Sequence, residues 1–161
     1  MKVKVRDVVD AMDMVGDEMS AYLNKRTGEL ITLTTEELSA AEEEEDLDDY
    51  PEWQRESIVK AGEIMGSEDW IELPSKFDIH EYAIMEEFCR SIDDAELSDR
   101  LLNTIRGSGA FGRFRGALEA LDMRQEWFDF RAAEFERIAC GWLQENEIAY
   151  TAEFKSGEGV N

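Results

Sequence analysis

From Pro51 onward, apolar residues recur every three or four positions, in segments bounded by glycine, proline or a polar residue. This spacing is typical of amphipathic α-helices, and it predicts five of them, the last from about Arg124 to Glu145. A chain of 161 residues is long enough to bury a real core. The pattern therefore favours a bundle of about five helices.

We expect most of these helices to begin at a side chain that can cap the first turn. The predicted caps are Asp49, Asp78, either Asp93 or Asp94, and Ser108. With these starts, the helical spacing turns three large aromatic residues toward the core, namely Trp53, Phe111 and Phe128.

The first forty residues predict a short helix followed by a β-hairpin. Helical spacing runs from Val3 to Met14, and two strand-like runs at 19–23 and 29–33 flank a turn that ends at Gly28. Thr34 or Thr35 can cap a further helix. The expected fold is α+β and mainly α, with the N-terminal helix and β-hairpin packed on the helical bundle.

The negative charge is concentrated in one segment. The formal net charge is -22, and residues 42–52 form a nearly unbroken acidic run. We expect residues 41–50 to be a solvated acidic connector within a single domain spanning 1–154, between a subregion at 1–40 and the bundle at 51–150. Residues 155–161 are expected to form a flexible tail. The other interpretations of the acidic run are a mimic of nucleic-acid charge or a docking strip for a basic partner, and calcium binding is disfavoured because Asp46-Leu-Asp-Asp49 lacks the glycine and the spaced ligands of an EF-hand.

Several functional classes find no support in the residue pattern. The start of the chain lacks the apolar core of a signal peptide, and no apolar run reaches the length of a membrane span. Cys89 and Cys140 lie too far apart in sequence for a zinc or disulfide framework, and His80 is the only histidine. No serine lies in a Gly-x-Ser-x-Gly context. We therefore expect a cytoplasmic, non-enzymatic protein without metal or cofactor.

One segment combines glycines, arginines and phenylalanines, from Arg106 to Gly116. In the functional interpretation, its backbone N–H groups and arginines form an anion site at the start of a helix. The residues expected to bind the ligand are Arg106, Gly107, Ser108, Gly109, Arg113 and Arg115. In the structural interpretation, the first glycines make a tight turn, Gly112 and Gly116 allow close helix packing, and the arginines pair with acids.

The longest helix carries more aromatic residues than one buried face needs. Trp127, Phe130 and Arg131 are candidates for a surface that contacts a partner, because tryptophan and arginine are common at the centres of interfaces. The alternative is a helix buried on two sides within the bundle.

Five stretches of the chain resemble the uncharacterised bacterial family UPF0158. They are Thr27-Gly-Glu-Leu30, Tyr50-Pro-Glu-Trp53, Trp70-Ile-Glu-Leu-Pro74, Gly107-Ser-Gly-Ala-Phe-Gly-Arg-Phe114 and Trp127-Phe-Asp-Phe-Arg131. The resemblance implies a bacterial, single-domain, intracellular protein and brings no activity with it. Ser108 and Gly112 stand where larger or basic residues would be expected, which predicts a weaker anion site here than in relatives.

These observations favour a non-enzymatic cytoplasmic binding or adaptor protein of unknown partner. The acidic run would steer a basic partner, and the surface at Trp127, Phe130 and Arg131 would make the contact. The alternative is an anion-binding domain that recognises RNA or a phosphorylated ligand through the turn at 106–115. Because the net charge repels nucleic acid at long range, any such contact would be local to the arginines.

Overall fold

The computed structural model describes residues 2–75 and 78–151, and helices dominate that part of the chain. The expectation of a mainly helical α+β fold is confirmed, and the predicted tail at 155–161 lies outside the described residues. In chain order the elements are β1 (Val3–Lys4), α1 (Val5–Met14), β2 (Met19–Asn24), β3 (Leu30–Thr34), α2 (Thr35–Glu42), a 3₁₀ turn (Leu47–Asp49), α3 (Glu52–Met65), β4 (Trp70–Glu72), α4 (Glu81–Arg90), α5 (Ala95–Thr104), α6 (Ala110–Ala120), α7 (Arg124–Glu145) and β5 (Tyr150–Thr151).

The chain divides into two compact units. The first contains the segment that ends at Ile79 and the segment that begins at Ala139, and the second is His80–Ile138. The helix α7 contributes residues to both units. The expectation of one domain over 1–154 stays a prediction.

The first unit is built around the predicted hairpin. Strands β2 and β3 pair antiparallel with Tyr22 opposite Ile31, and Gly28 adopts a φ of 80° in the turn. Strand β4 adds to the free edge of β2, which gives a three-stranded sheet in the order β3-β2-β4. The sequence does not predict this pairing, because β4 has only three residues, too few to indicate a partner strand.

Helices α2 and α3 cover one face of this sheet. Leu33, Ala61 and Ile64 form a buried cluster, and Tyr22 and Trp70 pack against it. The side chains of Ala21 and Leu23 alternate to the other face and are also buried. The sheet is therefore buried on both sides, and α1 contacts β2 and β3.

The second unit is held together by an aromatic cluster in which α4, α6 and α7 meet. Phe88 lies at its centre, with ring centroids 5.4 Å from Trp127, 5.4 Å from Phe130 and 6.2 Å from Phe114. Phe114 and Trp127 are 5.1 Å apart, and all four contacts are edge-to-face. Such pairs stabilise by roughly 0.5–1.5 kcal/mol beyond the area they bury.

Two predicted helix caps are confirmed. Thr34 forms a capping box with Glu37, in which each side chain bonds the other's backbone N–H. The Asp94 carboxylate accepts from the N–H groups of Glu96 and Leu97 at the start of α5. Helices α2 and α5 therefore begin where their sequences predict.

Three other predicted caps are wrong. Asp49 lies in the 3₁₀ turn, so Pro51 takes the cap position of α3. The Asp78 carboxylate accepts from the backbone N–H of Ser75 at 2.9 Å, and α4 begins only at Glu81. At α6 the cap position belongs to Gly109 rather than to Ser108. No side chain caps any of these three starts.

Candidate functional site

The Gly/Arg turn, by which we mean the part of the segment 106–115 that joins α5 to α6, depends on two glycines for its shape. Gly107 and Gly109 have φ values of 77° and 79°, in the left-handed region that side chains disfavour. A Cβ on Gly109 would also lie 3.0 Å from the Arg113 guanidinium. Arg106 and Ser108, the other predicted ligand residues of this turn, are exposed.

Arg113 closes this turn with its guanidinium group. Its Nε donates to the carbonyl oxygen of Thr104 at 3.0 Å, Nη1 donates to that of Ser108 at 2.6 Å, and Nη2 donates to that of Arg106. These carbonyls lie at and beyond the C-terminal end of α5, where backbone oxygens lack helical partners. Most of the hydrogen-bonding capacity of Arg113 therefore serves the turn.

The three arginines of the segment do not converge. Arg113 and Arg115 are two positions apart on α6, which places their side chains on different sides of the helix. Within residues 2–75 and 78–151, neither Arg106 nor Arg115 has a carboxylate oxygen within 4 Å. The structure therefore separates a turn held by Arg113 from an exposed Arg115.

The other predictions made for α6 are corrected. Gly112 and Gly116 were expected to allow close helix packing, but a Cβ at either position would meet no described atom within 4 Å. Phe111 was expected in the core and is 51% exposed, whereas Phe114 and Leu118 are buried. The buried face of α6 is therefore narrower than the sequence suggested.

A groove of about 300 Å³ lies between the second half of α6 and the start of α7. The groove is lined by Arg115, Gly116, Leu118, Glu119, Arg124, Trp127 and Phe128. Phe128, expected in the core, is instead 49% exposed, and the Arg124 guanidinium lies 5.7 Å from its ring centroid. Sequence reasoning missed Arg124 and Phe128, although their spacing of four residues on one helix does predict such a contact.

The predicted partner surface on α7 lies largely inside the protein. Trp127 is buried and Phe130 is half-buried against Phe88. The Arg131 Nε donates to the Glu81 carboxylate at 2.8 Å, and its guanidinium lies 4.1 Å from the Phe135 ring centroid. Spaced three or four positions apart, these residues lie on one face of α7 and serve the stability of the second unit.

The acidic run in the first unit forms a defined strap, by which we mean residues 42–49. Its chain reverses at Glu44, which has a φ of 52°, and the N–H of Glu45 then donates to the carbonyl of Ala40 at 3.0 Å. The Asp46 carboxylate caps the following 3₁₀ turn by accepting from the N–H of Asp48. All acidic side chains of the strap are exposed, as expected of a solvated connector.

The strap is tied to the start of α3 through Tyr50. The Tyr50 hydroxyl donates to the Glu45 carboxylate, and this hydrogen bond raises the pKa of Tyr50 to about 12. The Arg55 Nε donates to the Tyr50 carbonyl at 2.9 Å. Trp53, expected in the core, follows three residues later and is 75% exposed.

The residues considered for catalysis lie apart. Cys89 is fully buried, and its burial raises the pKa of the thiol to about 11, which makes it a poor nucleophile. His80 is exposed at the cap of α4. In the described part of the chain, no group of three or more histidine, cysteine or acidic side chains could hold a metal ion. None of the helices described there is long and apolar enough to cross a bilayer.

Comparison with known proteins gives a match at the level of the family. No curated protein and no solved structure shows significant similarity to the chain. A family model matches residues 1–156, which is nearly the whole sequence and includes the hairpin, the strap, the Gly/Arg turn and the aromatic residues of α7. The chain therefore belongs to UPF0158, an uncharacterised protein family.

Proposed function

We propose that this protein is a non-enzymatic cytoplasmic binding protein that recognises a basic segment of a protein partner through Trp53 and the acidic strap. The observation that carries the proposal is the exposure of Trp53. This residue lies in the first turn of α3, and its exposed fraction is 75%. Both cysteines are free thiols, which fits a reducing compartment.

Trp53 supplies the apolar contact that a charged surface lacks. Burying an exposed indole under a partner removes a large apolar area from water, and tryptophan is enriched at the energetic centres of interfaces. Its face also attracts lysine and arginine side chains by about 0.5–2 kcal/mol. Tryptophan therefore suits a partner that is both basic and partly apolar.

Several carboxylates lie close to this indole in the sequence. Glu52 precedes it, Glu56 lies one turn along the same side of α3, and Asp48 and Asp49 end the strap just before the helix. Such a concentration of negative charge speeds the association of a basic partner and disfavours acidic ones.

The strap reduces the entropic cost of binding because it already has a defined shape. The cap at Asp46 and the contacts of Tyr50 with Glu45 and Arg55 hold its backbone between α2 and α3. A preformed surface loses less conformational entropy than a disordered acidic linker would lose on binding.

The experiment measures the affinity of a short fluorescein-labelled lysine-rich peptide by anisotropy. We expect Trp53→Ala to weaken binding roughly tenfold, and Asp48→Asn/Asp49→Asn to weaken it and to flatten its salt dependence. Two matched controls are available: Phe111→Ala removes another exposed aromatic residue, and Asp99→Asn/Glu145→Gln removes two exposed charges elsewhere. An equal loss in the charge control would show that only net charge attracts the peptide, and an equal loss in Phe111→Ala would show that any exposed aromatic ring serves; either result would make the proposal fail.

The Gly/Arg turn is a weaker candidate for anion binding. Arg113 uses three N–H groups on backbone carbonyls, and its guanidinium fills the space beside Gly109. Of the predicted ligand residues, Arg115 lines the groove between α6 and α7. Recognition of RNA or a phosphorylated ligand at the turn itself stays a prediction.

A further inference from the structure

The groove between α6 and α7 contains two arginines that have no acidic partner among the residues that the structure describes. In a chain with 39 acidic and 17 basic side chains, an arginine has many carboxylates available. Yet no described carboxylate oxygen lies within 4 Å of Arg115 or of Arg124, although Glu119 lines the same groove. Their N–H groups are therefore free to form the paired hydrogen bonds that guanidinium makes with carboxylates and phosphates.

The floor of the groove is apolar and fixed in place. Leu118 and Trp127 are buried there, and Trp127 is held by its edge-to-face contacts with Phe88 and Phe114. A ligand that lies on this floor meets a surface that does not need to reorganise, which favours its binding.

One wall of the groove offers an exposed aromatic ring beside positive charge. Phe128 is 49% exposed, and the Arg124 guanidinium lies 5.7 Å from its ring centroid. A flat ring can stack on Phe128 while a group attached to it reaches Arg124. Across the groove, Gly116 has open space where a Cβ would be, so a ligand can approach the backbone closely there.

We propose that this groove binds a small anion that carries a flat aromatic ring, with a mononucleotide as the representative ligand. The ring would lie against Phe128, the phosphate would accept hydrogen bonds from Arg115 and Arg124, and Glu119 would accept from an amino group on the ring. A volume of about 300 Å³ is in the range of small-molecule sites. None of the residues that line the groove belongs to the acidic strap.

The charge of the whole chain favours a small ligand over a long one. At a net charge of -22, the protein repels a polyanion over its whole length. A mononucleotide brings only one phosphate, which two arginines can neutralise locally. The ligand class is therefore free nucleotides or similar aromatic phosphates, and RNA is the competing possibility that the test separates.

The test titrates the full chain with AMP by calorimetry and follows the ligand's ring protons by saturation-transfer NMR. We expect saturable binding that weakens roughly tenfold for ribose 5-phosphate, which lacks the ring, and for adenosine, which lacks the phosphate. Arg115→Gln and Arg124→Gln should each weaken AMP binding to a similar degree, and Phe128→Leu should reduce the NMR transfer to the ring. Arg106→Gln is the matched control because it removes an exposed arginine outside the groove. The affinity of this variant for AMP should stay within about twofold of the wild-type affinity.

Three results would overturn the proposal. The first is that none of AMP, GMP, CMP and UMP shows saturable binding at nucleotide concentrations up to about 10 mM. The second is an Arg106→Gln variant as weak as Arg115→Gln, since binding would then follow net charge. The third is tight binding of a short single-stranded RNA without binding of any mononucleotide. Thermal melting of each variant excludes loss of fold as the cause.

Discussion

Arg113 shows how the context of a single residue changes its role. By sequence it is one of three arginines in a glycine-rich turn, and the pattern cannot distinguish an anion ligand from a structural group. In the structure its guanidinium fork matches three carbonyl oxygens that the end of α5 and the turn leave without partners. Side-chain bonds of this kind depend on where the backbone points, which no spacing rule specifies.

We expect Arg113→Ala to lower the free energy of unfolding by about 1–2 kcal/mol because it removes three hydrogen bonds from a charged donor. Arg113→Lys should restore little, because an ammonium group lacks the planar fork that reaches several carbonyls. Urea denaturation followed by circular dichroism measures the effect. Arg106→Ala is the control and should change stability by less than about 0.5 kcal/mol. Equal effects at both positions would contradict the assigned role.

Cys89 gives a prediction about pH. Burial raises the pKa of its thiol from 9.0 to about 11, so the folded state holds the proton more tightly than the unfolded state. The corresponding stabilisation, on the order of 2 kcal/mol, is complete below pH 9 and is lost as the pH rises through 11. Cys89→Ala lacks this titration. The difference in unfolding free energy between wild type and Cys89→Ala should therefore be larger at pH 8 than at pH 11, and a constant difference would refute the shift.

At the level of elements, the periodicity of the sequence predicts nearly all helices. The spacing in α7 predicts both of its ends, and Thr34 with Glu37 predicts the start of α2. The start of α4 is predicted less well because Asp78 bonds to Ser75 in the preceding loop instead of capping the helix. Capping depends on the direction in which the chain enters the helix, and a single sequence does not give that direction.

Two glycines of the segment 106–116 should respond to substitution by alanine with opposite changes in stability. Gly109→Ala should destabilise by at least about 1 kcal/mol, because its φ is 79° and the new Cβ would lie 3.0 Å from Arg113. Gly112→Ala should stabilise by up to about 1 kcal/mol, because Gly112 lies within α6 and a Cβ there meets nothing within 4 Å in the described structure. Thermal melting of both variants measures the contrast. Destabilisation by Gly112→Ala would mean that α6 packs more closely there.

For the whole molecule, the sequence predicts the fold class better than it predicts the surface. The spacing of apolar residues places Trp53, Phe111 and Phe128 inside and leaves Trp127 as a surface candidate, whereas the first three are exposed and Trp127 is buried. The helices α6 and α7 each carry an aromatic residue beyond those that their buried faces accommodate, and tertiary packing decides which one stays exposed. The sequence does not predict the pairing of β1 with β5 either, because strands of two residues are too short to show an alternation of apolar and polar residues.

The net charge of -22 makes the stability of the whole chain depend on salt. Like charges repel one another more in the compact state than in the unfolded chain, and this cost is largest where acids are densest, in the strap. Raising NaCl from about 20 mM to about 500 mM shortens the screening length severalfold and should stabilise the fold by on the order of 1 kcal/mol, or roughly 2–4 °C in Tm.

The strap itself can be tested for its share of this repulsion. Glu42→Gln/Glu43→Gln/Asp48→Asn removes three exposed charges and keeps the Asp46 cap and the Glu45 contact with Tyr50. Its Tm in low salt should exceed that of wild type, and its gain on adding NaCl should be smaller, because less repulsion is left to screen. Sucrose, which stabilises proteins without screening charge, should raise the Tm of wild type and variant equally. An identical response of wild type and variant to NaCl would locate the repulsion outside the strap.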